Sequence, residues 1–387
     1  MNPASYSEFK QSLERSFSVW FPSQAWGSKR FLINYTDGEL QCRVMRRKIS
    51  RKLSDEVKIN LSPWIDEIYQ NAFLAFSELK TDNNRLLSTD DISAHSQLER
   101  AWRVRAKVRS SIEEKASGYS CFQQTFIPAG RAFFTSIGRL VAGIEHAGSL
   151  DPATLKFARL FARWRDRSGF FVSDRNVAEI NEFRNRTMLK LFGGKIQNKR
   201  EAEFIEMEDG RKVPFSSLSS GQQELLPIWY FIDNLITMDA LNSQRRGKDA
   251  KGEKEIVYIE EPEAHLFPES QATLLDILIA NVLGSPNGSD RKLIITTHSP
   301  YLMSRLNVLI KAGTISRRKK RNKDINEIVP RSSWLKLEEI TIQSIQEGKL
   351  VSIIDPEEGL IDAHFLDMIS DSISKDFVEL LNIEDSI

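Results

Sequence analysis

The 387 residues are 41% hydrophobic and 28% charged, a globular composition with enough chain for two or three domains around a sizeable core. Lys and Arg number 54 against 53 Asp and Glu, a formal net charge of +1, so bulk charge supports neither a nucleic-acid nor a membrane partner. No stretch approaches the ~18–20 uninterrupted apolar residues that span a bilayer. Residues 1–20 lack the apolar run of a signal peptide, and Cys42 and Cys121 stand alone without metal or disulfide spacing. The expectation is a cytoplasmic protein with reduced thiols.

Along the chain, residues 31–46 predict a β-hairpin, with Phe31, Ile33 and Tyr35 alternating before an Asp37-Gly38 turn and Leu40, Cys42 and Val44 alternating after it. Ser62-Pro63 predicts a helix start, Ser as N-cap and Pro at the first position. A second, highly charged helix is expected from about Ser96 to Lys115, with too few apolar residues for a core element. Residues 122–128 read as a short buried strand, followed by helical stretches near 130–146, 151–167 and 174–192, the last stopped by Gly193-Gly194. FIEMEDGRKVPF is a second hairpin, turning at Asp209-Gly210. After residue 215 the pattern becomes alternating α and β, and the apolar runs IVYI (256–259) and KLIITT (292–297) suit parallel strands buried on both faces. The segment 242–255 reads as a polar loop, and the basic run 317–323 as either a solvated loop or a phosphate or nucleic-acid contact. The acidic tail carries a helix near 362–382.

Three stretches carry chemistry. In the first, Ser216-Ser217-Leu218-Ser219-Ser220-Gly221-Gln222-Gln223-Glu224 precedes a long helical run. Hydroxyls, a glycine and the N–H groups of a new helix can hold an anion, although the same residues also make an ordinary serine-capped helix start. In the second, the strand IVYI ends in Glu260-Glu261-Pro262-Glu263. Carboxylates at the carboxyl end of a parallel strand lie where α/β sheets bind ligands: one can hold the water shell of Mg²⁺, and its neighbour can polarise an attacking water. Two or three such carboxylates repel each other without a cation. In the third, the strand KLIITT ends at His298-Ser299-Pro300, where an imidazole can contact a phosphate or stay structural.

Taken in order, these stretches resemble the motifs of ABC-class ATPases: LSSGQQ resembles the signature, IVYIEEPEAH the Walker B strand with its catalytic glutamate, and THS the switch-histidine loop. EEPEAHLFP is closer to the soluble branch of RecF, SMC and OLD-family heads than to transporters, and FIPAGR (126–131) is similar to a segment of AAA-type ATP-binding proteins. The GLIDAHFLD tail resembles the ending of some members of that branch, so the resemblance covers residues 120–387 well and the first third loosely. It implies an α/β, P-loop NTPase-like ABC ATPase head: a sheet flanked by helices, with a β-rich and helical first lobe at 1–215 and a motif-bearing lobe at 216–387. It implies ATP and Mg²⁺ as cofactors. Glu260 takes the Mg²⁺-water position, with Glu where many relatives have Asp, Glu261 is the general base, and His298 senses the γ-phosphate. Ser219, Ser220, Gly221 and Gln222 would clasp the nucleotide of an opposing head. The partner would be a second head, identical or different, with an effector protein a further candidate; DNA has only the basic run in its favour, and DNA repair or phage defence is analogy alone.

One family motif does not occur. A phosphate-cradling loop reads G-x-x-x-x-G-K-[ST], yet Gly194-Lys195 is followed by Ile196, Gly247-Lys248 by Asp249 and Gly348-Lys349 by Leu350. An amino-terminally shortened chain is one expectation, because a sheet lacking that strand would leave backbone groups unpaired at about 1–3 kcal/mol each. The other is a head that lends its signature to a partner without hydrolysing ATP itself. A nuclease would need a carboxylate cluster on apolar strands, and Asp355, Glu357 and Glu358 instead read as a turn. Arg131 of FIPAGR could face phosphates or pair with an acid.

Overall fold

The computed structural model describes residues 5–49, 52–85, 92–116, 123–137, 151–167, 177–198, 203–245, 254–284, 290–317, 322–362 and 374–383. The chain forms two compact units, Met1–Gln123 with Gly148–Leu155, and Gln124–Ala147 with Lys156–Ile387.

In the first unit, helix α1 (Tyr6–Trp20) starts at a reciprocal cap in which Ser5 accepts from the Glu8 N–H and the Glu8 carboxylate accepts from the Ser5 N–H. Strands β1 (Leu32–Asp37), β2 (Leu40–Ile49) and β3 (Lys52–Leu61) follow as an antiparallel meander. The predicted hairpin is present, with Asp37 opposite Leu40. Val44, Val57 and Ile59 form its small core, joined by Leu13 and Phe17 of α1. Glu14 anchors the helix, accepting from the Ile59 N–H at 3.0 Å and from Arg47 at 2.9 Å.

Two charged helices, α2 (Trp64–Arg85) and α3 (Ile92–Lys115), complete the unit. Ser62 does not cap α2 as predicted. Its hydroxyl accepts from the Gln41 N–H at 2.8 Å and donates to the Glu39 carbonyl at 2.9 Å, so the end of the neighbouring strand has already taken it.

The second unit is mixed α/β. Strand β4 (Gln123–Ile127) leads into α4 (Ala132–Ile137), α5 (Pro152–Arg167) and α6 (Val177–Phe192), close to the predicted succession. Helix α6 ends at Gly193, whose φ of +69° suits a left-handed stop. Gly194 then opens β5 (Gly194–Asn198) of an antiparallel sheet with β6 (Glu203–Met207) and β7 (Lys212–Pro214). Helix α7 (Ser220–Arg245) precedes β8 (Lys254–Glu260), and α8 (Pro268–Leu278) precedes β9 (Asp290–Thr296) and α9 (Pro300–Ser316). Beyond them lie the short α10 (Asn322–Ile328) and the hairpins β10 (Gln343–Gln346)–β11 (Lys349–Ser352) and β12 (Ile354–Asp355)–β13 (Leu360–Ile361). Residues 374–383 are helical, overlapping the end of the predicted tail helix, whose earlier part at 363–373 lies outside the described residues.

The central sheet has the order β4-β8-β9, with β8 and β9 parallel and in register from Lys254 opposite Asp290 to Glu260 opposite Thr296. The Thr125 hydroxyl meets Glu255 at 2.6 Å, and the Ala129 N–H meets Glu260 at 3.3 Å, so β4 runs in the same direction as β8. Val257 and Ile259 enter a large core with Ile127, Phe157 and Leu226. The expectation of burial on both faces holds better for β8 than for β9. Lys292, Ile294 and Thr296 share one exposed face of β9, with Ile294 46% exposed, while Leu293 and Ile295 pack inward on the other.

Candidate functional site

At the start of α7, Ser219 and Gln222 cap the helix reciprocally. The Ser219 hydroxyl accepts from the Gln222 N–H at 3.3 Å, and the Gln222 side-chain oxygen accepts from the Ser219 N–H at 3.2 Å. Ser219 and Ser220 are exposed. Gly221 lies against the acidic turn, where a Cβ would stand 2.7 Å from the His265 carbonyl oxygen, so a larger residue cannot sit there without movement. Gln222 also donates to the Phe192 carbonyl at 3.0 Å, holding α7 to the end of α6. Pro227 lies inside α7 and cannot donate to the Gln223 carbonyl. The Thr135 hydroxyl donates to that carbonyl instead, at 2.9 Å.

The acidic turn leaves β8 at Glu260. Glu261 follows in the left-handed region, φ +41°, as does His265 at +59°. Such a backbone costs a non-glycine residue about 1–3 kcal/mol and persists only where neighbours fix it. Here the Glu261 N–H donates to the Thr296 carbonyl at 2.9 Å, and its own carbonyl accepts from the Ala264 N–H at 3.1 Å.

His298 follows β9 and exposes its ring, 87% accessible, 3.8 Å from the carboxylate of Glu261, itself 45% exposed. Glu263 fixes the backbone beneath: one oxygen accepts from the Thr297 hydroxyl at 2.7 Å and the His298 N–H at 2.8 Å. Ser299 caps α9, accepting from the Leu302 N–H at 3.1 Å and donating to Gln271 at 2.5 Å.

Under both elements lies Arg131, entirely buried. Its guanidinium donates to the carbonyls of Pro128 (3.0 Å), Glu224 (3.1 Å), Glu260 (2.9 Å), Glu261 (3.1 Å) and Pro262 (3.2 Å), and pairs with the Glu224 carboxylate at 3.4 Å. Burial pulls its pKa down, while Glu224 and then Glu263, Glu261 and Glu260 push it back up. Arginine keeps its charge throughout this range. Of the two sequence readings, Arg131 pairs with an acid. It also supplies the positive charge that the acidic turn needs, so the cluster of carboxylates does not by itself require a metal ion.

Glu261, His298 and Glu260 are thus gathered at the carboxyl ends of two parallel strands, and Gly221 packs against the same turn. Among the described residues no group of three or more His, Cys, Asp or Glu side chains converges on a metal ion. Mg²⁺ normally keeps several waters and takes one or two carboxylates with substrate phosphates. The donor set therefore fits Mg²⁺ arriving with a nucleotide, and does not fit an all-protein cage. Gly194-Lys195 opens β5 and Gly348-Lys349 turns the β10–β11 hairpin, so neither forms a loop before a helix; Gly247-Lys248 lies outside the described residues. Asp355 accepts from the N–H groups of Glu357 (2.7 Å) and Glu358 (3.1 Å), the turn that the sequence suggested. Residues 318–321 of the basic run lie outside the described residues.

The sequence missed Glu263 and Glu224 as parts of the site. Position could have signalled both, Glu263 being the third acid of EEPE and Glu224 lying one turn into the helix after Gly221. No helix among the described residues is long and apolar enough to cross a membrane. Comparison with curated proteins returns no match. Residues 46–303, well over half of the chain, match the AAA ATPase domain, and the protein belongs to that family of nucleotide-binding ATPases.

Proposed function

We propose that the chain is a Mg²⁺-dependent ATP-hydrolysing head of the ABC class, of the RecF, SMC and OLD-like branch, whose site is shared across a head-to-head dimer. The observation that carries this reading is the meeting of Glu261 and His298, 3.8 Å apart, at the carboxyl ends of β8 and β9. In this reading Glu261 accepts a proton from the attacking water, and His298 orients that water or the terminal phosphate. Glu260 holds the water shell of Mg²⁺, which neutralises charge on the phosphates when bound. Ser220 and the first N–H groups of α7 face the nucleotide of the opposing head, with Ser219 and Gln222 holding that helix end in place.

In this reading the phosphate cradle and its lysine are not contributed by the 387 residues, which hold no G-x-x-x-x-G-K-[ST]. The open face of β9, with Lys292, Ile294 and Thr296 exposed, supports an added element there, because parallel sheets are normally covered on both faces. A non-hydrolysing head that only lends its signature is the second reading. The retention of Glu261 beside His298 speaks against it, since a module without catalysis has no need to keep that glutamate 3.8 Å from the imidazole.

The test is phosphate release from Mg²⁺-ATP by the native assembly, purified through a tag on this chain and carrying wild-type sequence or Glu261→Gln. The expected result is a loss of turnover of about 10²–10⁴-fold with ATP binding retained. Equal turnover removes Glu261 as the base. An assembly that neither binds nor hydrolyses ATP overturns the ATPase reading altogether.

A further inference from the structure

We infer that Arg131 is a positioning residue, whose buried guanidinium clamps the carbonyls of Glu260, Glu261 and Pro262 so that Glu261 keeps the left-handed backbone that presents its carboxylate to His298. The inference rests on the reading of Glu261 as the base, but its physical content concerns the turn alone.

Three consecutive carbonyls of one turn point at a single cation, at 2.9, 3.1 and 3.2 Å. A carbonyl cluster of that kind repels itself unless a donor set matches it, and the planar fork of arginine supplies several donors at fixed angles. Lysine has the charge without the fork. The same guanidinium holds the carbonyl and carboxylate of Glu224, on the first turns of α7. One side chain therefore ties the start of the signature helix to the catalytic turn, and a shift of either is felt at the other. Arg131 itself is held by Pro128 in its own loop, where Gly130 makes the bend with φ +67°. With no exposed surface, it acts on the turn from within the protein.

A purely structural arginine would lower stability equally whatever residue occupies position 261. A clamp on a strained backbone would not: without it Glu or Ala at position 261 leaves φ +41° and recovers its strain, which offsets part of the loss, whereas glycine has no strain to recover. The experiment is therefore a thermal-unfolding cycle on this chain without nucleotide. Arg131→Lys is measured in the wild type and in the Glu261→Ala and Glu261→Gly backgrounds. The fall in Tm is expected to be similar in the first two and larger in the third. The Ala background removes the carboxylate and keeps the strain, which separates backbone from charge. Equal falls in all three backgrounds, a smaller fall in the Gly background, or failure to fold in all three alike overturn the inference; failure to fold in the Gly background alone supports it.

A second readout needs no substitution beyond Arg131→Lys in a folded protein. The imidazole NMR signal of His298, identified by its loss in His298→Ala, should move to the position it takes in Glu261→Gln. An unmoved signal means that Glu261 still faces His298 without the fork, and the clamp is refuted. In the native assembly, Arg131→Lys should lower kcat roughly tenfold or more with ATP affinity held, as expected for a displaced base. Should the assembly prove inactive, the reading of Glu261 as the base fails while the unfolding cycle still decides the clamp.

Discussion

Gly221 and Glu263 show how single atoms set this site. A methyl group at Gly221 would meet the His265 carbonyl oxygen at 2.7 Å, and that carbonyl belongs to a turn already fixed by Arg131 and Thr296. Neither side can retreat freely. Gly221→Ala should therefore lower stability by about 1–3 kcal/mol, as overpacking does, in urea unfolding. A change under about 0.5 kcal/mol would mean that the turn gives way after all. Glu263 acts by hydrogen bonding. Its carboxylate accepts from the Thr297 hydroxyl and the His298 N–H, and Glu263→Ala takes that acceptor from both. The cost should be about 1–3 kcal/mol, with faster hydrogen exchange at the His298 amide. Unchanged exchange would show that β9 alone positions His298.

At the scale of elements, what the sequence conveyed depended on how local the cause is. The β1–β2 hairpin, the α6 stop and the succession β4-α4-α5-α6 follow from alternation, glycine and helical spacing, and all are present. β3 went unread although Val57, Ile59 and Leu61 alternate, because its polar first half obscures the period. Ser62 misled, since its hydroxyl was claimed by Gln41 and Glu39, 21 and 23 residues away, and no local rule sees that. The run KLIITT has the apolar content of a strand covered twice, yet its outer face is open. Ile294→Thr should then change the stability of this chain by less than about 0.5 kcal/mol, whereas Ile259→Ala in the adjacent β8 should cost about 2–5 kcal/mol. Equal losses would contradict the open face.

Helix α5 offers a prediction in pH. Asp151 caps it, accepting from the N–H groups of Ala153 (2.9 Å) and Thr154 (3.0 Å). Partial burial raises the pKa of Asp151, but the hydrogen bonds from Thr154 and Ala153 outweigh it and hold the group below its ordinary value. A lowered folded-state pKa gives stability that is present above the unfolded value, near 3.8, and is lost as pH falls through the lower folded one. Asp151→Ala should cost about 0.5–2 kcal/mol at neutral pH and much less once the pH is below both values. A penalty that does not change with pH would assign the cap to shape alone.

For the whole molecule, the argument turns on how the apolar residues are shared out. Among the described residues, the first unit has Val44, Val57 and Ile59 as its buried core, while the second carries two larger clusters, one built on β8 and α7 and the other on α8 and α9. Stability scales with the apolar surface removed from water, so the two units should not melt together. Calorimetry on the full chain should show two transitions, the lower one from the first unit, with a van't Hoff enthalpy below the calorimetric one. Substitution assigns them: Val57→Ala should lower only the first transition, and Leu226→Ala, at a fully buried position in α7, only the second. Each should cost its own unit a few kcal/mol, about 2–5 for the leucine. The motifs at Gly221, Glu261 and His298 all lie in the second unit, so Val57→Ala should leave the His298 imidazole signal in place while Leu226→Ala broadens it near the upper transition. A single transition moved by both substitutions would show that the two units unfold as one cooperative body, and that the small core around Val57 draws on the larger ones for its stability.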